Sequence, residues 1–175
     1  MDLRHFIRDV PDFPRKGILF KDITPLLASP MALAEAVRGL AARTDRPDAV
    51  VAIESRGFVF GTGLAMHWGV PLLPARKFGK LPGATVRAVY SLEYGEDTLE
   101  LHRDALGAGQ RVAIVDDLLA TGGTAAAAAR LVEQLGARVA ALLFVVELRG
   151  LGGRDRLASH PVESLLTYDV AAEKT

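Results

Sequence analysis

Residues 111–136 constrain the fold of this chain more than any other stretch. Val112, Ala113, Ile114 and Val115 form a short apolar run rich in β-branched residues. Such a run reads as a strand buried on both faces, the kind found in parallel sheets covered by helices. Two carboxylates, Asp116 and Asp117, follow at once, and after Leu118, Leu119 and Ala120 comes the glycine-rich Thr121-Gly122-Gly123-Thr124. Residues 125–130 then open a helix that runs to Gly136. The order is buried strand, acid pair, glycine loop, helix N-terminus. That is the layout of an anion site at the carboxyl end of a parallel sheet.

Each residue type in the stretch has a physical reason to be there. Gly122 and Gly123 let the backbone approach a ligand closely and adopt positive φ without steric cost. The amides of the loop and first helical turn lack intrahelical acceptors and can point at phosphate oxygens. Thr121 and Thr124 add hydroxyl donors, and either could cap the helix. Asp116 and Asp117 can accept hydrogen bonds from vicinal hydroxyls or hold a hydrated Mg²⁺. The Gly-Lys-Ser/Thr of a Walker loop is missing, as is the Rossmann Gly-x-Gly-x-x-Gly. A loop that holds a phosphate while two acids hold a ribose is the sharper reading, against an ordinary strand-to-helix turn with solvated acids.

Composition narrows the function classes. With Lys+Arg and Asp+Glu at 21 each, no global field recruits nucleic acid or an acidic membrane. Cysteine is absent, which excludes disulfides, thiol catalysis and cysteine-ligated metal and fits a reducing cytoplasm. The four histidines are scattered without metal spacing. The start lacks the apolar core of a signal peptide, and the longest apolar run, 139–146, is far short of the ~20 residues a membrane helix needs. At 175 residues the chain suits one domain, 1–175, with room for a sizeable core.

The rest of the chain alternates strands and helices. Leu3, Phe6, Ile7 and Val10 fall on one helical face, so the spacing predicts an amphipathic helix stopped by Pro11. Residues 18–20 are a short extended piece, in which Phe20 either covers a flat ligand or packs in the core. Ser29-Pro30 starts a helix that ends near Arg43. Residues 49–53 form a second buried strand, followed by Glu54-Ser55-Arg56-Gly57 and a helix over 58–68 with Gly69 as its stop. Residues 72–74 are a third strand, after which Arg76, Lys77 and Lys80 crowd a loop with a Pro-Gly turn. Residues 86–91 and 98–102 alternate apolar and polar, which predicts a hairpin. Glu93 and Tyr94 stand in its tip, and the whole of 76–103 is either a lid or a solvated surface hairpin. Residues 138–147 make a long central strand, 150–158 a loop with room for one turn, and 164–168 a closing edge strand. The expected fold is α/β, a central, mostly parallel twisted sheet flanked by helices with right-handed crossovers.

The stretch 111–124 resembles the phosphoribosyl-pyrophosphate motif of the type I phosphoribosyltransferases, and its wording is similar to the adenine-using branch. The resemblance runs through Pro-Asp-Phe-Pro (11–14), Phe-Lys-Asp-Ile-Thr-Pro (20–25), Ser-Arg-Gly-Phe (55–58), Arg-Lys-x-Gly-Lys-Leu-Pro-Gly (76–83) and Tyr-Ser-Leu-Glu-Tyr-Gly (90–95). It implies transfer of ribose 5-phosphate from phosphoribosyl pyrophosphate to adenine, giving AMP and diphosphate in purine salvage. It implies that Ala120, Thr121, Gly122, Gly123 and Thr124 hold the 5′-phosphate and that Asp116 and Asp117 hold the ribose hydroxyls. Ser55 and Arg56, following Glu54, would face the diphosphate, with Arg76, Lys77 and Lys80 reaching it partly from a partner in a homodimer. Leu19, Phe20 and Lys21 would form the adenine pocket in a hood built from residues 1–30, and Glu93 would be the acid/base group. Mg²⁺ would be held mainly by the substrate diphosphate and waters, with no dedicated protein ligand. A cis peptide at Glu54–Ser55 belongs to the same resemblance. An arginine is common where Lys21 stands, and an aspartate where Glu54 stands. The competing readings are a hypoxanthine or guanine enzyme and a regulator that binds the ribose diphosphate without turnover.

Overall fold

The apolar run at 112–115 is buried on both faces because helices cover both sides of the sheet that contains it. The structure, a computed structural model, describes residues 1–91 and 95–170. In chain order it builds β1 (Arg8–Pro11), β2 (Leu19–Asp22), α1 (Thr24–Leu27), α2 (Pro30–Ala41), β3 (Ala49–Ile53), α3 (Gly57–Trp68) and β4 (Leu72–Lys77). There follow β5 (Thr85–Ser91), β6 (Glu96–His102), β7 (Arg111–Leu119), α4 (Gly123–Gln134), β8 (Arg138–Arg149), α5 (Gly153–Arg156) and β9 (Val162–Asp169).

Seven strands form one sheet in the order β5-β6-β4-β3-β7-β8-β9, while β1 and β2 pair separately. The contacts β4–β3, β3–β7, β7–β8 and β8–β9 are parallel, and the β5–β6 hairpin joins the β4 edge antiparallel. Successive side chains of a strand face opposite ways, so the core divides into two layers. Val51, Ile53, Val112, Ile114, Leu142 and Phe144 pack toward α4. Val50, Ala113, Val115, Leu143 and Val145 pack toward α2 and α3. Each fully buried branched side chain contributes ~1.5–3 kcal/mol, which is why these strands carry apolar residues on both faces. Among the described residues no helix is long and apolar enough to cross a membrane.

Local signals set several boundaries. Ser29 Oγ accepts a hydrogen bond from the Ala32 amide at 3.3 Å with Pro30 in the first turn, and α3 ends at Gly69 with φ 63°. The sheet from β3 outward reverses direction of growth, β4 lying on one side of β3 and β7 on the other. That reversal opens a crevice at the carboxyl ends of β3 and β7, where α/β sheets bind ligands.

Two sequence expectations change. The amphipathic helix over the first ten residues is a single 3₁₀ turn, Leu3–Phe6, and the chain then extends as β1. Pairing with β2, in register Arg8↔Asp22 to Pro11↔Leu19, gives that backbone its partners and overrides the helical spacing of the apolar residues. The strand over 72–74 continues to Lys77, because Arg76 and Lys77 pair with Glu100 and Leu99 of β6, so both cations lie on a strand rather than in a loop. Residues 150–158 keep the expected loop with one turn in it, the helical turn α5.

Helix α3 lies so close to β3 that a Cβ built at Gly61 would sit 2.5 Å from Ala52 Cβ. Overpacking a core costs ~1–3 kcal/mol, while Gly→Ala in a helix regains only ~1 kcal/mol. Gly61→Ala should therefore lose about 1 kcal/mol net, lowering Tm by roughly 2–4 °C in a thermal melt. A Tm equal to or above the parent's would mean that α3 can lift from the sheet without loss.

Candidate active site

Strand β7 continues to Leu119, so the acid pair stands inside the strand rather than just after it. The pairing Asp116↔Phe144 and Leu118↔Val146 with β8 keeps the backbone straight through both carboxylates. They are thus carried on a rigid element at the crevice. Helix α4 begins at Gly123, with Gly122 as its cap in the left-handed region at φ 75°. Neither Thr121 nor Thr124 caps it by a side-chain hydrogen bond. The first-turn amides are thereby left facing the loop, the arrangement that binds anions. Thr121 is exposed, Thr124 and Ala120 are half-buried, and both glycines are buried.

Asp117 is buried, 3% exposed, and its Oδ2 lies 2.8 Å from Arg56 Nε. The N–H does not point along that line, and among the described residues this oxygen has no hydrogen-bond donor. A buried carboxylate oxygen without a donor is costly and marks a place where a ligand hydroxyl or water belongs. Asp116 Oδ1 accepts a hydrogen bond from the Asp117 amide at 2.9 Å. The protein surrounding its carboxyl, and next the charge of Asp117, raise the Asp116 pKa well above the ordinary carboxylate value. Among the described residues no three carboxylates or imidazoles gather into a metal cluster.

The Glu54–Ser55 peptide is cis, as expected at that position. Glu54 accepts hydrogen bonds from Arg76 Nε and Nη2, both at 3.2 Å, and from the Lys77 amide at 3.0 Å. Burial opposes its charge, but the hydrogen bonds from Arg76 and Lys77 outweigh it and hold the carboxyl below its ordinary range. Arg76 also donates to the Lys80 carbonyl at 3.0 Å, so β4 and the Pro-Gly turn are tied to the loop after β3. Lys77 Nζ pairs with Asp97 Oδ2 at 3.2 Å instead of reaching toward the acid pair, and Lys80 is exposed. The three cations therefore divide between Glu54, Asp97 and solvent.

On the other side, Arg56 Cζ lies 5.4 Å from the Phe20 ring centre, and Phe13 meets Phe20 edge-on at 5.1 Å. Arg56 thus joins Phe20 to Asp117. Leu19 is exposed, whereas Lys21 is buried with Nζ 2.6 Å from Asp9 Oδ1 and 4.1 Å from the Tyr168 ring centre. With its side chain committed there, Lys21 can offer a ligand only its backbone. Glu93 and Tyr94 lie outside the described residues.

Three supports escaped the sequence reading. A Cβ at Gly57 would sit 2.6 Å from the Val115 carbonyl oxygen, so only glycine lets α3 start this close to the acid strand. Gly153 of α5 packs directly on the Ala120 backbone. Tyr90 donates to Asp97 Oδ2 at 3.1 Å, and burial, helped by the charge of Asp97 and opposed by a hydrogen bond with Thr124, pushes its pKa up to about 12. The glycine-rich run 150–153 was the one signal available for the second, and it reads equally as a loop.

Comparison with known proteins matches residues 26–166 to the phosphoribosyl transferase domain. An adenine phosphoribosyltransferase of Synechococcus sp. (strain CC9902) is 55% identical over 172 residues, 97% of this chain and 98% of that one. The crystal structure of adenine phosphoribosyltransferase from Thermoanaerobacter pseudethanolicus superposes with a TM-score of 0.92 at 48% identity, covering 95% of this chain and 98% of that one. The Saccharomyces cerevisiae enzyme, solved with adenine and an imino-altritol bisphosphate, gives 0.90 at 43%, covering 94% and 97%.

The raised Asp116 pKa has a consequence for stability. An acid whose folded-state pKa exceeds its unfolded value contributes stability that is complete below the unfolded pKa and lost as pH rises through the folded one. At neutral pH Asp116 therefore opposes folding. Glu54, Asp97, Glu100 and Glu147, all held below their ordinary range, act in the opposite sense and weaken both parent and mutant in acid. Asp116→Asn should melt above the parent at neutral pH, with the gap closing toward about pH 4, the range of a free aspartate. Thermal melts of the pair across pH check this, and a mutant that melts lower at neutral pH would refute it.

Proposed function

The chain belongs to the adenine phosphoribosyltransferase branch of the phosphoribosyl transferase family, and from that premise we propose the following reaction. It transfers ribose 5-phosphate from 5-phospho-α-D-ribose 1-diphosphate to adenine, releasing AMP and diphosphate. The observation that carries the reading is the donorless Asp117 Oδ2, buried below a glycine loop at the switch point of a parallel sheet. A ribose hydroxyl supplies the donor this oxygen lacks.

The chain's residues then divide the work. Ala120, Thr121, Gly122, Gly123 and Thr124 take the 5′-phosphate on loop amides and hydroxyls. Asp116 and Asp117 orient the ribose through its hydroxyls. Ser55 and Arg56, with Arg76, Lys77 and Lys80, face the diphosphate and offset the charge that grows on it as the bond to C1′ breaks. Arg76 and Lys77 exchange Glu54 and Asp97 for diphosphate oxygens as substrate enters. Leu19 and Lys21 read the purine edge through their backbone, and Phe20 covers its face. Glu93, in the tip of the 76–103 lid, handles the proton of the purine imidazole. Closure of that lid keeps water from C1′.

Mg²⁺ suits this donor set. The acid pair presents hard oxygens, one of them donorless, that fit the water shell of a cation held mainly by the diphosphate. When bound it supplies positive charge to the leaving diphosphate. We read 1–175 as one domain, residues 1–30 as the base-binding hood, and the setting as cytoplasmic, in keeping with a cysteine-free chain. Neither nucleic acid nor membrane enters the scheme, given the balanced charge.

Two measurements test the assignment. The resemblance has a neighbouring subunit bring Arg76 and Lys77 to the site, so sedimentation should report twice the 18.7 kDa chain mass. A mass of one chain at working concentration would exclude the homodimer. Turnover with separate purines tests the base. The backbone of residues 19–21 offers a carbonyl to a 6-amino group and an amide to the adjacent ring nitrogen, and hypoxanthine reverses both. Each buried mismatch costs about 1–3 kcal/mol, and sites of this kind discriminate by on the order of 10⁴-fold. Adenine should therefore be strongly preferred, and in the same assay Glu93→Gln should lower kcat roughly 10²–10⁴-fold. Equal kcat/KM for adenine and hypoxanthine would defeat the adenine assignment, and a normal kcat in the mutant would remove Glu93 from proton transfer.

A further inference from the structure

Between β8 and β9 the chain makes one helical turn, α5, too short to hold its own shape. What fixes it is a single arginine. Arg154 donates from Nε to Glu147 Oε1 at 2.8 Å, from Nη2 to Glu147 Oε2 at 2.6 Å, and from Nη1 to the Val162 carbonyl at 2.8 Å. Ser164 Oγ donates to Glu147 Oε2 at 2.7 Å, so the carboxylate has three donors although it is only 3% exposed. One guanidinium therefore ties α5 to both neighbouring strands.

The residue just before it touches the glycine loop. A Cβ on Gly153 would collide with the Ala120 carbonyl oxygen and lie 2.9 Å from Leu119 Cδ1. A Cβ on Gly122 would lie 2.8 Å from the Gly153 carbonyl oxygen. Backbone rests on backbone here, with the Leu119 side chain packed beside the contact. Leu157, 1% exposed, anchors the far end of the turn in the α4 core, leaving Arg154 to set its position at the loop end.

We infer that Arg154, through its fork on Glu147, is a positioning residue that aims the amides of residues 120–124 at the 5′-phosphate. The inference rests on the reading of that loop as the 5′-phosphate site. Arg154 touches no substrate, and it acts on the loop through Gly153 and through Glu147, whose partner across the sheet is Leu119. The diphosphate side of the site is tied to Glu54 just after β3, Arg76 on β4 and Asp97 on β6, at the other flank of β7, and is independent of it.

Titration calorimetry with two separate probes, ribose 5-phosphate and inorganic pyrophosphate, tests this on the parent, Arg154→Lys, Glu147→Gln and Thr121→Ala. Lysine keeps the charge but cannot span both carboxylate oxygens and the carbonyl. Loss of one hydrogen bond to a phosphate corresponds to roughly 10- to 100-fold in affinity. Arg154→Lys should weaken ribose 5-phosphate by about that factor and leave pyrophosphate unchanged. Nearly isosteric Glu147→Gln should do the same, and it decides the matter should the lysine variant fail to fold. Equal weakening of both probes would indicate general loosening and overturn the proposal. Unchanged ribose 5-phosphate binding in Arg154→Lys or Glu147→Gln, with Thr121→Ala weakened, would overturn the proposal while the loop assignment stands. Unchanged binding in all three variants would remove the loop assignment and the proposal together.

Discussion

Two carboxylates on adjacent residues of a buried strand set the terms for everything around them. Asp116 is shielded by surrounding protein and repelled by the charge of Asp117, a combination that disfavours its charged form. The fold tolerates them because Arg56 comes within 2.8 Å of Asp117 and because the Asp117 amide turns back onto Asp116. Neither partner satisfies Asp117 Oδ2. The site is therefore incomplete without a ligand that brings donors, and a sugar with vicinal hydroxyls is chemistry of that kind.

Close approach is the second constraint, and it follows from the first. For loops to reach the acid pair from either side, backbones must meet without side chains between them. Gly57 brings the start of α3 against Val115, and Gly122 and Gly153 bring the glycine loop against α5. The helix N-terminus and the turn below it then act as one surface. A methyl group at any of these positions would push the amides away from the crevice.

The third feature is how the hairpin is joined to the site. β6 pairs with β4 at only two residues, whereas β5 lies along α4, with Arg130 donating to the Val89 carbonyl at 2.6 Å. Tyr90 donates to Asp97, which also pairs with Lys77. One carboxylate on β6 thus connects Tyr90 on β5, the strand leading to the hairpin tip, with Lys77 on β4.

Much of this was legible in the residues because its causes are local. The buried strands at 49–53 and 112–115, the caps at Ser29 and Gly69, the hairpin and the glycine loop all follow from patterns spanning a few residues. The acid pair and loop were legible as neighbours at a strand end and a helix start because these follow one another directly in the chain. The helix expected at the N-terminus failed because β2, eight residues beyond β1, offered backbone partners that no local spacing reveals. The extension of β4 through Arg76 and Lys77 likewise depended on β6. Gly153, Arg154 and Glu147 acquire their roles only when β8, α5 and β9 come together beneath the loop. The sequence by itself determined which chemistry the crevice carries, since residue type and short spacing decide that. Which charges meet, which oxygen is left without a donor and which backbones touch were decided by the tertiary structure alone, because they depend on distances between segments far apart in the chain.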